Sequence, residues 1–89
     1  MAIVRFSSPL RRFTGNKNEL IVSGETVFEV IKMIADQFPR LDDKLIRGDS
    51  LSKQTIISVD HKDIRLLDNG NTPVSDTTVI HLLPALVGG

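Results

Sequence analysis

Cysteine is absent from this 89-residue chain, which excludes disulfide scaffolding, thiolate catalysis and cysteine-based zinc sites. Aromatic side chains are scarce, since four Phe are accompanied by no Tyr or Trp, and they leave few platforms on which nucleic-acid bases stack. Neither sign of charge dominates, because eleven basic residues balance eleven acidic ones. Nothing therefore indicates a general attraction to nucleic acid or to an anionic membrane.

Long apolar runs are also missing, and none approaches the roughly 20 residues that span a bilayer. The first residues, MAIVRFSSPLRR, place their arginines after the apolar stretch, which is the reverse of the order in a secretory signal peptide. We therefore expect a cytoplasmic protein. The length predicts one small domain with a single core and without a large catalytic cleft.

Four segments have the residue pattern of β-strands, at 2–6, 19–22, 56–60 and 78–83, and a short segment at 64–66 is a further candidate. In the last strand, Ile80 and Leu82 alternate with a second set, which we assign to the outer face of the sheet. That set comprises Val79, His81 and Leu83. The polar sequence at 48–54 predicts an exposed loop.

One amphipathic helix is predicted between the second and third strands. Thr26 and Glu29 have the spacing of a capping box, and Pro39 ends the helix near Phe38. The apolar stripe comprises Val27, Val30, Ile31, Ile34 and Phe38. A short helical turn is expected at 42–47. A single helix covering a mixed sheet of four to five strands is an α+β roll, in which we expect the first and last strands side by side.

The sequence ends with ALVGG at 85–89. Because Pro84 cannot donate to a β-ladder, we expect no pairing beyond it, with a domain at 1–84 and a flexible tail at 85–89. Glycine has no Cβ, so a diglycine end can thread a narrow channel and bring its carboxylate against ATP. The carboxylate is ionised at neutral pH and resists nucleophilic attack until it gains a leaving group such as AMP. The alternative is a flexible terminus without a role.

An apolar strip on the outer face is expected to bind partner proteins. It comprises Val79, His81, Leu83, Leu86 and Val87. The alternative is that some of these side chains cover the helix or a loop. His81 has no other histidine or carboxylate identifiable near it, so a catalytic role is not expected. The turn at 60–63, which contains His61, is interpreted as polar rather than as a metal site.

Several blocks of the sequence resemble the ubiquitin-like sulfur carriers of the MoaD/ThiS family, and the CysO type most closely. They are SSPLRRFTG, SGETVFEVI, SVDHKDIR and DTTVIHLLPALVGG. The resemblance implies a β-grasp fold. It also implies that a MoeB/ThiF-like enzyme uses ATP and Mg²⁺ to adenylate Gly89, which follows Gly88. A sulfur donor then forms a thiocarboxylate, and a downstream enzyme accepts the sulfur. The chain itself is then a protein cosubstrate without its own cofactor or metal, not an enzyme.

Three further functions remain open at this point. The first is the small subunit of molybdopterin synthase, whose tail would insert into a large catalytic subunit. The second is a ubiquitin-like modifier that is joined through Gly89 to a lysine of a target protein. A structural β-grasp interaction domain needs no free terminus at all. Sulfur delivery to a small metabolite of the cysteine or homocysteine type is favoured, although the residues identify neither the donor nor the acceptor.

Overall fold

The computed structural model describes residues 1–85. Five strands form the main sheet: β1 (Ala2–Phe6), β2 (Glu19–Val22), β5 (Thr55–Val59), β6 (Lys62–Asp63) and β7 (Val79–Pro84). The other elements are α1 (Val27–Gln37), α2 (Asp42–Leu45), β3 (Ile46–Arg47) and β4 (Ser50–Leu51). No helix within residues 1–85 has the length and apolar content that a membrane crossing requires.

The main sheet is mixed, with the strand order β2-β1-β7-β5-β6. β1 and β7 are parallel neighbours, and their register places Arg5 beside His81. All other neighbours in this sheet are antiparallel. The predicted α+β roll is therefore confirmed, as is the adjacency of the first and last strands.

The core lies between this sheet and α1, because each contributes one apolar face. β1 buries Val4 and Phe6, and β7 buries Ile80 and Leu82, as the alternation predicts. The helix buries Val27, Val30, Ile31, Ile34 and Ala35. Removal of these side chains from water is the main favourable contribution to folding.

The start of α1 is fixed by two side chains. The Thr26 hydroxyl accepts a hydrogen bond from the Glu29 backbone N–H at 3.3 Å. The Glu29 carboxylate accepts one from the backbone N–H of Glu25, also at 3.3 Å. The carboxylate thus caps one residue earlier than the standard capping box, which uses the N–H of the N-cap residue itself. The helix ends at Gln37, before Pro39.

Several local features differ from the sequence expectations. The candidate strand at 64–66 is a 3₁₀ turn, and the helical turn expected at 42–47 ends at Leu45, where β3 begins. The predicted loop at 48–54 contains β4, which pairs with β3 in a two-stranded hairpin. A 3₁₀ turn at Ser8–Phe13, which the pattern did not predict, buries Leu10. The Ala85 backbone N–H donates to the Gln54 carbonyl at 2.9 Å, so the expectation that pairing stops at Pro84 is wrong by one residue. Proline interrupts donation only at its own position.

Candidate functional site

The outer face of the main sheet, opposite α1, carries apolar side chains at both ends of β7. At the start of the strand, Ile21, Ile3 and Val79 lie side by side on three neighbouring strands. Ile21 is 68% exposed. At the end of the strand, Leu83 pairs with Ile56 of β5 and is 45% exposed. An exposed apolar surface of this kind is typical of a protein-binding face.

A row of polar side chains crosses the sheet between these two apolar ends. Pairing places Glu19, Arg5, His81, Ser58 and Asp63 next to one another on five successive strands. The Arg5 guanidinium donates to the Glu19 carboxylate at 3.3 Å. A partner that covers the apolar ends therefore also meets this row, and the row favours partners with matching polar groups.

The two histidines of the chain lie together in this region. Their ring centroids are 5.3 Å apart, with planes tilted by 30°. His61 belongs to the turn between β5 and β6, and His81 to the centre of β7. The expectation that no other histidine lies near His81 is therefore wrong. The neighbour could not be identified because the contact depends on the register that places Ser58 of β5 opposite His81.

The surroundings of His81 lower its pKa below the ordinary value of 6.5. Burial is the largest cause, followed by the positive charges of His61 and Arg5. Each disfavours the protonated imidazolium relative to the neutral ring. At neutral pH, His81 is thus mostly an uncharged side chain that both donates and accepts hydrogen bonds.

The carboxylates of the neighbouring turn have structural partners. The Asp60 carboxylate accepts from the Val79 backbone N–H at 3.0 Å. Asp63 accepts from the Arg65 side chain at 2.6 Å, and that hydrogen bond holds the pKa of Asp63 below its ordinary value. Among residues 1–85, no three His, Asp or Glu side chains form a group with metal-binding geometry.

A shallow groove of about 820 Å³ opens on this face. Its lining includes Ser7, His61, His81 and Leu83. The Ser7 hydroxyl and Nδ1 of His81 are buried, and neither has a hydrogen-bond partner among the described residues. Since buried polar atoms are normally paired, these two unpaired atoms are exceptions beneath the surface of the groove.

The predicted partner-binding residues separate into two groups. The structure brings Val79, His81 and Leu83 together on the outer face of β7, where Val79 and His81 are half-buried. Leu86, Val87, Gly88 and Gly89 lie outside the described residues. A role for either group in partner binding, and the chemical role of the terminal glycines, stay predictions.

A second groove, of about 580 Å³, lies where β7 ends. Pro84 and Ala85 line it together with Phe13, Arg12 and Lys44. The Phe13 ring has three cationic groups near it: the guanidinium carbon of Arg12 at 5.7 Å, that of Arg40 at 5.0 Å, and Nζ of Lys44 at 5.2 Å from the ring centroid. We call these four residues the Phe13 cluster. The sequence pattern does not indicate this cluster, because only Arg12 is adjacent to Phe13 in the chain.

Comparisons with known proteins agree with the fold described above. A sequence model of the ThiS family matches residues 4–89, whereas the curated protein sequences contain no match. A chain of the Amycolatopsis orientalis BexX/CysO complex is 25% identical, with full coverage of both chains and a TM-score of 0.85. CysO of Mycobacterium tuberculosis is also 25% identical, with 97% of this chain and 100% of that chain covered and a TM-score of 0.82.

An archaeal protein is similar to the same extent. Small archaeal modifier protein 1 of Methanosarcina acetivorans is 29% identical, with 99% of this chain and 95% of that chain covered and a TM-score of 0.86. The family model reaches from β1 to the final glycine, and the structural matches cover nearly the whole chain. The chain therefore belongs to the ThiS family and has the ubiquitin-like β-grasp fold of the MoaD/ThiS sulfur carriers, with CysO among its structural neighbours.

Proposed function

We propose that this protein is a sulfur carrier whose Gly89 carboxylate is activated and then converted to a thiocarboxylate. In the first step, a carboxylate oxygen attacks the α-phosphorus of ATP, and pyrophosphate leaves to give an acyl-adenylate. In the second, sulfide attacks the carbonyl carbon and AMP leaves, so that sulfur replaces one terminal oxygen. If a persulfide supplies the sulfur, the resulting acyl disulfide needs a second thiol to release the thiocarboxylate. The carrier then donates that sulfur to an acceptor.

The match of the ThiS family model through Gly89 is the observation that carries this proposal. It includes the diglycine end, which has the properties the chemistry needs: no side chain at either of the last two positions, and a carboxylate that requires activation. The chain has no cysteine, so a thiolate of its own cannot carry the sulfur. Catalysis of adenylation is assigned to a partner enzyme.

The outer face of β7 is the proposed docking surface for that partner. Val79 and Leu83 supply apolar area, while His81 supplies a neutral polar group between them. Leu86 and Val87 follow in sequence and are proposed to extend the same contact toward the active site of the enzyme. An interface with an apolar centre and matching polar groups combines affinity with correct orientation.

The proposed partners are a MoeB/ThiF-like adenylating enzyme, a sulfur donor and a sulfur-accepting enzyme. ATP and Mg²⁺ belong to the adenylating enzyme, not to this chain. Because ATP is consumed, a cytoplasmic location is proposed. Delivery to a small metabolite of the cysteine or homocysteine type is favoured by the similarity to CysO at 25% identity.

Reconstituted adenylation tests the proposal. The protein is mixed with the MoeB/ThiF-like enzyme of its own organism, and ATP–pyrophosphate exchange is measured. The unaltered chain should support exchange. Deletion of Gly89, or addition of one alanine after it, should abolish exchange while the urea unfolding midpoint stays unchanged. Exchange that persists in the extended variant would exclude activation of the terminal carboxylate.

A protein-modifier function is the second candidate. It is favoured by the 29% identity to the small archaeal modifier protein 1 of Methanosarcina acetivorans. Such a function uses the same adenylate but ends in an amide bond between Gly89 and a lysine of a target. Lysines that carry a diglycine remnant after proteolysis of native cells would support it. Co-purification with a molybdopterin synthase large subunit would instead assign the chain as the small subunit of that enzyme.

A further inference from the structure

The Phe13 cluster gathers positive charge from three separate segments of the chain. Arg12 lies in the 3₁₀ turn Ser8–Phe13, Arg40 in the turn Pro39–Leu41, and Lys44 in α2. All three cationic groups lie within 6 Å of the same ring centroid, where the negative ring face attracts them. Three positive charges around one ring make the cluster a local concentration of charge.

No carboxylate within the described residues forms a direct ion pair with this cluster. Within residues 1–85, the ion pairs join Met1 to Asp76, Arg5 to Glu19, Lys32 to Asp36, and Arg65 to Asp63. None of them includes a cation of the Phe13 cluster. Asp42 and Asp43 lie between Arg40 and Lys44 in the sequence, but neither forms an ion pair with a cation of the cluster. With no ion-pair partner within residues 1–85, the three cations are therefore free to form charge contacts with an external acidic group.

Hydrogen bonds hold the cluster beside the end of β7. The Thr55 hydroxyl donates to the Lys44 carbonyl at 2.6 Å, and Thr55 itself pairs with Pro84. One residue further, the Ala85 N–H donates to the Gln54 carbonyl at 2.9 Å. The position of Lys44 relative to the last described residues is thus fixed by the sheet, and Gly89 is only four residues beyond Ala85.

The geometry points to the Phe13 cluster as the docking site for an acidic surface of the enzyme that adenylates Gly89. This inference rests on the proposed function. An enzyme that closes around the last residues must approach Ala85, and its surface there meets Arg12 and Lys44 in the same groove. Carboxylates on that surface would pair with cations that have no ion-pair partner within residues 1–85, and so would raise the encounter rate and orient the two proteins.

A protein surface fits this groove better than a free nucleotide does. Pro9, Leu10 and Pro84 give the groove apolar walls, which suit a polypeptide segment. Phe13 supplies its only aromatic ring among the lining residues, and three cations already lie near that ring. The ring is therefore poorly placed to stack against a base, which is how proteins commonly hold the bases of nucleotides and single strands.

Charge reversal tests the inference in the exchange assay. The variants are Arg12→Glu, Arg40→Glu and Lys44→Glu, and the matched control is Lys62→Glu. Lys62 is also exposed, but it pairs with Val59, at the far end of β5 from Thr55. Exchange rates are measured against carrier concentration at low and at high salt, and urea unfolding verifies that every variant is folded.

We expect each reversal in the cluster to raise the KM for the carrier about five- to tenfold at low salt, because a favourable charge contact becomes repulsive. The kcat at saturating carrier should stay within about twofold of the unaltered value, and high salt should reduce the difference in KM. Lys44→Arg, which keeps the charge, should retain the unaltered KM. Lys62→Glu should change the KM by less than about twofold, as expected for a charge outside the interface.

Three results would overturn the inference. Cluster reversals that match Lys62→Glu would show that the cluster is not contacted. A higher KM for ATP with an unchanged KM for the carrier would assign the cluster to the nucleotide. Failure of the unaltered chain to support any exchange would refute the proposed function, and this inference with it, whereas the first two results leave the proposed function intact.

Discussion

Leu82 and Leu83 are neighbours in β7 whose side chains lie on opposite faces of the sheet, so one substitution at each position separates folding from partner binding. Leu82 is 0% exposed and Leu83 is 45% exposed. Leu82→Ala leaves a cavity between the sheet and α1, and we expect it to lower the unfolding free energy by about 2–5 kcal/mol. A domain of this size has roughly 5–13 kcal/mol of unfolding free energy, so much of the stability is lost.

Leu83→Ala removes the same atoms from a half-exposed position where no closed cavity forms, and the expected loss is about 1 kcal/mol. Urea unfolding monitored by circular dichroism measures both free energies, and the exchange assay measures the KM for the carrier. Leu83→Ala should raise that KM without unfolding the protein. Equal destabilisation by the two substitutions would refute the assignment of faces, and an unchanged KM for Leu83→Ala would remove Leu83 from the docking surface.

The other predictions concern single contacts. The folded state lowers the pKa of His81 below 6.5, so the unfolded chain binds a proton more readily, and the unfolding free energy should fall as the pH drops below about 6.5. His81→Asn should weaken this pH dependence when urea unfolding is measured at several pH values. An unchanged pH dependence would show that His81 is not its source. Thr26→Ala should lower the unfolding free energy by about 1 kcal/mol in the same assay, since it removes the hydroxyl that accepts a hydrogen bond from the Glu29 backbone N–H. Thr26→Ser keeps a hydroxyl and should recover most of that stability. Gly24→Ala should lower the unfolding free energy by about 1–3 kcal/mol, because the new Cβ would lie 2.7 Å from Cγ2 of the fully buried Val30. A melting temperature equal to that of the unaltered protein would contradict this close contact.

Most parts of the fold that the sequence predicted correctly are those that depend on residues close together in the chain. The alternation in β1 and β7 identified the buried faces, because side chains on a strand point to opposite sides in turn. The Thr26 cap and Pro39 bounded α1 to within about a residue, since both act on the nearest backbone groups. The β3–β4 hairpin was missed because two-residue strands carry too few side chains to establish a period.

The candidate site was less predictable, since it depends on contacts between distant segments. The outer position of Leu83 followed from alternation in one strand. The approach of His61 to His81 depends on how β5 aligns with β7, and the Phe13 cluster requires the turn that holds Arg40 to pack near the one that ends at Phe13. The alignment of these strands and the packing of these turns are determined by the whole core, not by the spacing of residues in the sequence.

Intact mass spectrometry of the protein purified from its native cells under non-reducing conditions tests the central claim most directly. We predict a species in which one terminal oxygen is replaced by sulfur, with fragment ions that place the change on Gly89. Treatment with an alkylating reagent should shift the mass of that species alone, because the chain has no cysteine thiol. A population that carries only the carboxylate, in cells that express the adenylating enzyme and a sulfur donor, would contradict the sulfur-carrier function.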